Sequence, residues 1–245
     1  MYPPLDTLKP VEQDIWIVDS GPHHMGAVSF PVRMTVIRLK SGQLWLHSPT
    51  RMTPALRAEL DRIGPVAHLV APNSAHWTMV EQWRKHYSHA MTWAAPHLPS
   101  RKPVRKSGTH FDHQLGTSSP EVWAKEITQS VVPGGFGYRE VMFFHHVSRT
   151  LILTDLIVNL ESNRLPIATR FFARLAGVAA PKGMAPVYLR MIVKMRRKEA
   201  AEAVKHVLEL EPERVIFSHG QWYQNNGTLR LRAAMMWLLG SIRQH

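Results

Sequence analysis

The 245-residue sequence contains no cysteine. A disulfide framework and a thiolate metal site are therefore both excluded. Any metal ion would have to be bound by histidine, aspartate or glutamate, and the chain has 15 histidines that could serve. The lack of cysteine thus restricts a metal site to nitrogen and oxygen ligands, without predicting that one exists.

Long apolar runs are also missing. No run approaches the roughly 20 residues of a membrane-spanning helix, and Met1–Pro4 lacks the charged and apolar regions of a signal peptide. We therefore expect a cytoplasmic protein without a transmembrane segment. The hydrophobic content of 44% is enough for one sizeable core. Because no long linker divides the chain, we expect a single domain over residues 1–245.

Acidic residues are scarce, with 18 Asp and Glu against 30 Lys and Arg, which gives a formal net charge of +12. Such an excess attracts anionic substrates, anionic lipid or nucleic acid. Most of the charge is dispersed, as in an ordinary solvated surface, but it is concentrated in Pro96–Gly108, which we expect to be a proline-broken loop, and in Val187–Lys198. We do not expect a nucleic-acid partner, because Pro99–Gly108 has no aromatic residue on which a base could stack.

The second basic stretch, Val187–Lys198, is amphipathic and has two interpretations. It could be a helix that lies on a membrane surface or on another anionic partner. Alternatively, it packs through an apolar face and exposes its cations to solvent, and we favour this arrangement. The apolar face would consist of Tyr188, Met191, Ile192 and Met195.

Strand and helix signals alternate along the first part of the chain, as expected of α/β layers. Thr53 and Pro54 predict the start of a helix that runs to Ile63. The other predicted elements are a strand at Asp14–Asp19, a loop at Gly21–Pro31, a hairpin at Arg33–His47 and a buried strand at Ala67–Ala71.

Two apolar strands in the second part each end in a polar side chain. The strand Thr150–Thr154 is almost wholly apolar, which predicts burial on both faces, and it leads directly into Asp155. A carboxylate at that position needs a metal, a cation or a helix N-terminus as a partner. Arg214–Gly220 has the same form and carries His219. We expect these strands to bring Asp155 and His219 to one edge of a sheet.

Three motifs, taken in order, resemble the metallo-β-lactamase superfamily, in a branch with degenerate motifs. They are Ala-Pro-Asn-Ser-Ala-His at 71–76, Ser-Arg-Thr-Leu-Ile-Leu-Thr-Asp at 148–155 and Ser-His-Gly at 218–220. The resemblance implies the α/β class and a metallo-β-lactamase-like four-layer αββα sandwich. It also implies one or two ions of zinc, iron or manganese, which activate a water molecule for hydrolysis.

The sequence departs from the family in the first metal site, which depends on a His-x-His-x-Asp-His loop. Pro72 and Ser74 stand where two histidines belong. His76 occupies the place of the aspartate, and Trp77 that of the last histidine. The three-histidine site of the family therefore cannot form here.

A rearranged site is still implied, because Asp155 matches the bridging aspartate and His219 the final histidine. His76, Asp155 and His219 would bind one divalent metal, with His145 or His47 as a fourth ligand. Two imidazoles and a carboxylate suit zinc, iron or manganese. In the alternative, Asp155 and His219 hydrogen-bond each other or the backbone, and no metal binds. Further candidate pocket residues are His47, Ser74, Asn73, His23 and His24.

Other motifs carry less chemistry. Gly134–Gly137 is not followed by the Lys-Ser/Thr of a phosphate-binding loop. Ser148 and Ser218 lack the Gly-x-Ser-x-Gly context of a nucleophile. His110–His113 looks like half of the missing histidine motif, but it does not follow a buried strand.

The sequence thus predicts a metal-dependent hydrolase with a remodelled metal site, acting on a small-molecule or anionic substrate. A bound water would be the nucleophile. The alternative is a non-catalytic, metal-free binding or scaffold module that keeps the fold.

Overall fold

A computed structural model describes residues 2–25, 28–165 and 167–240. The chain forms two compact units, Met1–Glu126 and Ile127–His245. The single domain over residues 1–245 that the sequence predicts remains a prediction. No helix within the described ranges is both long and apolar enough to cross a membrane.

The first unit contains one seven-stranded sheet, in which the spatial order of the strands follows the chain. The strands are β1 (Lys9–Glu12), β2 (Ile15–Met25), β3 (Val28–Arg38), β4 (Leu44–His47), β5 (Val66–Ala71), β6 (Met91–Ala94) and β7 (His113–Gln114). β1 to β4 pair antiparallel, whereas β4 to β7 pair parallel. The parallel strands are connected through α1 (Pro54–Ile63), α2 (Val80–His86) and α3 (Lys102–Ser107).

Local sequence explains α1 well. The Thr53 hydroxyl accepts a hydrogen bond from the Leu56 N–H at 3.2 Å, and Pro54 occupies the first turn. Leu56 and Leu60, four residues apart, are both fully buried on one face. Gly64 follows the last helical residue. The helix predicted from Thr53 to Ile63 is therefore confirmed.

Two predicted loops in this unit are wrong. Gly21–Pro31 lies mostly within the long β2–β3 hairpin, whose register shifts between Ser20 and His23. A bulge of this kind lets a strand continue through residues that otherwise signal a turn. Pro96–Gly108 contains α3, because Pro103 lies in the first turn of that helix, where its missing N–H costs nothing.

The second unit contains a four-stranded sheet and a smaller two-stranded one. The strands are β8 (Ile127–Pro133), β9 (Arg139–His145), β10 (Thr150–Ile152), β11 (Val158–Asn159), β12 (Arg214–Ile216) and β13 (His219–Gly220). The larger sheet has the order β12-β10-β9-β8. Its β10–β12 pair is parallel, as is the separate β11–β13 pair.

Helices of the second unit pack on the larger sheet through a cluster of buried hydrophobic side chains. They are α5 (Val187–Lys194), α6 (Arg197–Glu209), α7 (Gly227–Ala234) and α8 (Met236–Leu239). A short 3-10 turn at Ser162–Arg164 and α4 (Ile167–Leu175) precede them, and Ala173 of α4 belongs to a separate small cluster with Val158 and Leu160. The members of these helices in the cluster include Leu189, Val193, Val204, Leu231 and Leu238.

The orientation of α5 differs from the prediction. Leu189 and Val193, four residues apart, are buried, and Ile192 packs partly against the same core. Tyr188, Met191 and Met195 are instead 60%, 67% and 57% exposed. The core-facing stripe thus runs along the 189–193 side of the helix, which turns most of the predicted packing face toward solvent.

Candidate metal centre

Asp155 and His219 are brought together by the register of two parallel strands. β10 pairs with β12 so that Ile152 lies beside Ile216, and the Leu153 N–H donates to the Ile216 carbonyl at 3.0 Å. Three residues beyond each of these partners are Asp155 and His219. Their Oδ1 and Nε2 atoms are 3.1 Å apart. The predicted meeting of an acid and an imidazole at one sheet edge is confirmed.

The glycine of the Ser-His-Gly motif has a steric function. Gly220 pairs with Asn159 in the β11–β13 ladder and has φ of +96°. A Cβ atom at this position would lie 2.0 Å from the Asn159 carbonyl oxygen. Only glycine fits this backbone approach, which fixes His219 in place beside Val158.

The backbone that carries Asp155 is held by Glu140, a fully buried carboxylate on β9. Glu140 Oε1 accepts hydrogen bonds from the N–H groups of Thr154 at 2.8 Å and Asp155 at 3.0 Å. A longer contact of 3.4 Å joins it to the Leu156 N–H. The Tyr138 hydroxyl donates to Glu140 Oε2 at 2.6 Å. One carboxylate thus satisfies a whole turn of backbone donors.

This cluster concentrates negative charge. Burial, and then the neighbouring Asp155 carboxylate, raise the pKa of Glu140. Burial and the charges of Glu140 and Asp155 raise the pKa of Tyr138 well above its ordinary value. Burial, Asp155 and Glu140, in that order, also raise the pKa of Tyr188 on α5. Both phenols therefore remain protonated at neutral pH and can donate hydrogen bonds.

Sequence reasoning missed Glu140, although a signal was present. The strand Arg139–His145 is apolar apart from its ends, and Glu140 is the one acidic residue in it. A carboxylate inside a buried strand requires donors, as Asp155 was argued to. The partners of Glu140 are 14 to 16 residues away in the chain, so the pattern could not identify them.

His76 is positioned by its own loop. Asn73 is fully buried, and its Oδ1 accepts hydrogen bonds from the N–H groups of Ala75 at 2.8 Å and His76 at 3.0 Å. The His76 Nδ1 lies 2.6 Å from the Ser48 hydroxyl. The side chain of Asn73 therefore shapes the loop that carries His76.

His47 ends β4 in the same unit and is buried. Burial, and then the charge of His76, lower the pKa of His47 to about 3. This imidazole is therefore neutral at any physiological pH.

Two residues of the second unit form a pair that could hold a metal ion. Asp155 offers a carboxylate oxygen and His219 an imidazole nitrogen, and these two atoms are 3.1 Å apart. The pair contains no cysteine, as the composition requires.

The fourth ligand is where the prediction needs correction. His145 lies at the opposite end of β9 from Glu140, which over five residues corresponds to about 17 Å. Its Nδ1 is instead 2.9 Å from the Ser148 hydroxyl. The strand direction therefore removes His145 from the set of candidate ligands for the ion beside Asp155.

The remaining candidates lie as follows. His23 is exposed on β2, where its ring contacts Phe30 at a centroid distance of 5.5 Å. The side chain of His24 lies outside the described residues. Ser74 is half-buried, and its carbonyl accepts a hydrogen bond from the Trp77 indole at 3.1 Å.

The His110–His113 stretch is structural. Asp112 accepts hydrogen bonds from the Thr92 N–H at 2.8 Å and from its hydroxyl at 2.7 Å, which joins this stretch to β6. These bonds explain the acidic residue without any metal.

Comparison with solved structures shows the fold. A metallo-β-lactamase from Pontibacter korlensis matches with a TM-score of 0.63 and 12% identity, over 96% of this chain and 99% of that one. One from Hirschia baltica gives 0.61 and 14%, over 96% and 98%. FIM-1 from Pseudomonas aeruginosa, in its mono-zinc form, gives 0.62 and 16%, over 94% of each chain. The expected α/β class with a metallo-β-lactamase-like fold is confirmed.

Sequence comparisons are less informative about activity. No curated protein matches the chain. A family model described as "Domain of unknown function (DUF4336)" matches residues 12–178, which include His76 and Asp155. By that match, the chain belongs to the DUF4336 family.

Proposed function

We propose that this protein is a metal-dependent hydrolase with a remodelled, single-metal site, in a motif-degenerate branch of the metallo-β-lactamase superfamily. The observation that carries the proposal is the contact between Asp155 and His219, whose Oδ1 and Nε2 atoms are 3.1 Å apart. His76 would be the third ligand. Its substrate would be a small molecule, and the net charge of +12 favours an anionic one.

The donor set fits a divalent transition metal. Two imidazole nitrogens and one carboxylate oxygen suit zinc, iron or manganese. Two ligands at about 2 Å from one tetrahedral ion are about 3.3 Å from each other. The 3.1 Å separation between Asp155 Oδ1 and His219 Nε2 is close to that value.

Neighbouring groups would hold the ligands in position. The Ser48 hydroxyl at His76 Nδ1 leaves Nε2 as the nitrogen that would bind the metal. Glu140 fixes the backbone of Asp155 through that residue's N–H. Such supporting hydrogen bonds orient metal ligands and adjust their basicity.

A divalent metal held by these residues would supply a water of lowered pKa and polarise an electrophile. Tyr188 would contribute a protonated phenol, because its pKa is raised. Its hydroxyl could then donate a hydrogen bond to the oxygen that gains negative charge during hydrolysis.

A second function is favoured by the same contact. At 3.1 Å, Asp155 and His219 already form a hydrogen-bonded pair that needs no metal. The protein would then be a metal-free binding or scaffold module that keeps the fold. Asp155→Asn separates the two, because the amide oxygen can still accept a hydrogen bond from His219 but is a poor metal ligand.

The experiment is elemental analysis of protein purified without chelator, combined with thermal unfolding in the presence of zinc and manganese. The hydrolase proposal predicts about one metal per chain, and a rise in Tm on addition of metal, because ligands of the folded state stabilise it. Asp155→Asn and His219→Ala should lose both effects. His206→Ala, which removes an exposed histidine of α6, should keep them.

Absence of metal from the wild-type protein, together with no shift in Tm, would favour the metal-free module. If metal binds, hydrolysis of ester, lactone and phosphodiester model substrates tests the catalytic part. Metal binding without any turnover would contradict the hydrolase proposal and show that the protein only binds a metal.

A further inference from the structure

One segment of the second unit is exceptional in its charge. Residues 162–198 contain nine Lys and Arg residues and no Asp or Glu. The segment therefore supplies nine of the formal net charges, out of +12 for the whole chain. Flanking acids compensate two of the cations, since Glu161 pairs with Arg164 and Glu199 with Arg196. The interior of the segment remains strongly basic.

The same segment exposes an unusual amount of apolar surface. Among the described residues, twelve large hydrophobic side chains are exposed, and six of them lie here. They are Phe171, Leu175, Val187, Tyr188, Met191 and Met195. Met191 is 67% exposed, Leu175 64% and Phe171 63%. Scattered single hydrophobic residues are normal on a surface, whereas a concentration of this kind marks an interaction site.

Helical spacing gathers these side chains into stripes. Phe171 and Leu175 are four residues apart on α4, and Val187, Met191 and Met195 follow the same spacing along α5 and its C-cap. The two helices meet end to end, because the Val187 N–H donates to the Ala176 carbonyl at 3.2 Å. We name Phe171, Leu175, Val187, Met191 and Met195, together with the Lys and Arg residues of the 162–198 segment, the α4–α5 face.

We propose that the α4–α5 face docks on the surface of a membrane that contains anionic lipid. Exposed Phe, Leu, Val and Met on amphipathic helices, bordered by Lys and Arg, match the pattern of helices that lie in the interface of a bilayer. The apolar side chains enter the boundary between headgroups and acyl chains. The cations remain at headgroup level, where their long stems let them reach the phosphates.

Charge complementarity selects this occupant over others. A nucleic acid offers phosphates, but it has no apolar layer to cover Phe171, Leu175 and Met191. A second copy of this chain would bring another strongly basic face, which repels the first. Of these three, the anionic bilayer is the one that supplies both a negative surface and an apolar boundary.

The experiment is co-sedimentation of the full chain with vesicles of phosphatidylcholine alone and of phosphatidylcholine mixed with phosphatidylglycerol. The protein should bind the mixed vesicles at low ionic strength, bind the neutral ones weakly, and be released by salt. Lys194→Gln with Lys198→Gln should weaken binding about fivefold for each charge removed. Leu175→Ser with Met191→Ser should weaken it about tenfold per residue.

Matched controls separate the face from general basicity. Arg105→Gln with Lys106→Gln removes two exposed cations of α3, and Leu229→Ser removes a side chain on α7 that is 68% exposed. Both should bind vesicles as the wild type does. Circular dichroism spectra should coincide for all variants, because every altered position is exposed.

Three results would overturn the proposal. The first is no binding to mixed vesicles at low salt. The second is equal weakening by the α3 control pair, which would mean dispersed attraction of a basic protein. The third is that the wild-type protein self-associates but does not bind vesicles, and that the double variant Leu175→Ser with Met191→Ser no longer self-associates. This would assign the face to a second copy of the chain.

Discussion

The loop that carries His76 and the turn that carries Asp155 are held in their conformations by different kinds of contact. Each follows a buried strand and presents a candidate metal ligand. The His76 loop is folded by Asn73, three residues earlier in the chain. The Asp155 turn is folded by Glu140, fifteen residues away on a neighbouring strand. One ligand is therefore positioned locally, and the other by the tertiary structure.

The largest effect is expected at Gly220, whose close approach to the Asn159 carbonyl positions the neighbouring His219. Gly220→Ala should lower the free energy of unfolding by about 4 kcal/mol, because the new Cβ would meet the Asn159 carbonyl at 2.0 Å in a left-handed backbone. Urea unfolding measures the change. Gly108→Ala is the matched control, since its φ is +73° with open space around it, and should cost about 1 kcal/mol. Equal losses would show that the approach to Asn159 is not limiting.

Removal of the remote acceptor should have the next largest effect. Glu140→Ala leaves the N–H groups of Thr154 and Asp155 without their buried partner, which we expect to cost about 3 kcal/mol. Glu140→Gln keeps an oxygen acceptor and should cost clearly less. Denaturant titration of both variants gives the comparison. An alanine variant as stable as the glutamine one would contradict the role assigned to Glu140.

Near His76, the free energy of unfolding should depend on pH because of the buried imidazole of His47. Its pKa is lowered from 6.5 to about 3 in the folded protein, so the unfolded chain binds more protons between these values. Stability is therefore full above pH 6.5 and is lost as the pH falls, by about 2 kcal/mol between pH 7 and pH 5. Unfolding free energies measured over this range should flatten in His47→Gln. His206→Gln should leave the slope unchanged, and a wild-type slope in His47→Gln would refute the assignment.

The smallest effect is expected for the local support. Asn73→Ala should cost about 1 kcal/mol, as for the loss of a capping side chain. Asn73→Ser keeps a short oxygen acceptor without introducing a charge at this buried position and should cost less. Urea unfolding of both variants measures the difference. A loss in Asn73→Ala as large as in Glu140→Ala would remove the distinction between local and tertiary positioning.

Features with local causes were predictable from the sequence. Thr53 and Pro54 specify the start of α1. The meeting of Asp155 and His219 is a tertiary contact, and it was predictable because two short apolar strands each lead to a polar side chain. The contact at Glu140 was not predictable, because its donors lie in the turn after β10, 14 to 16 residues further along the chain. The buried face of α5 was predicted wrongly because Leu189 and Val193 form a second apolar stripe on this helix. Only packing against the core decides which of the two stripes is buried.

The residues near Gly21 are typical of a turn, but they lie within a strand. Gly21, Pro22 and two following histidines favour a loop in isolation, yet β2 continues to Met25 because β3 pairs with it. Pairing with a neighbouring strand outweighs the preferences of single residues, as is common in sheets. The candidate ligand His145 fails for a similar reason, since the direction of β9 carries it away from Glu140.

The most direct test of the central claim is a crystal structure of the protein grown with zinc, with anomalous diffraction measured at the zinc edge. We predict one anomalous peak about 2 Å from Nε2 of His76, Oδ1 of Asp155 and Nε2 of His219. No peak at this position, with Asp155 and His219 still joined directly as a hydrogen-bonded pair, would contradict it.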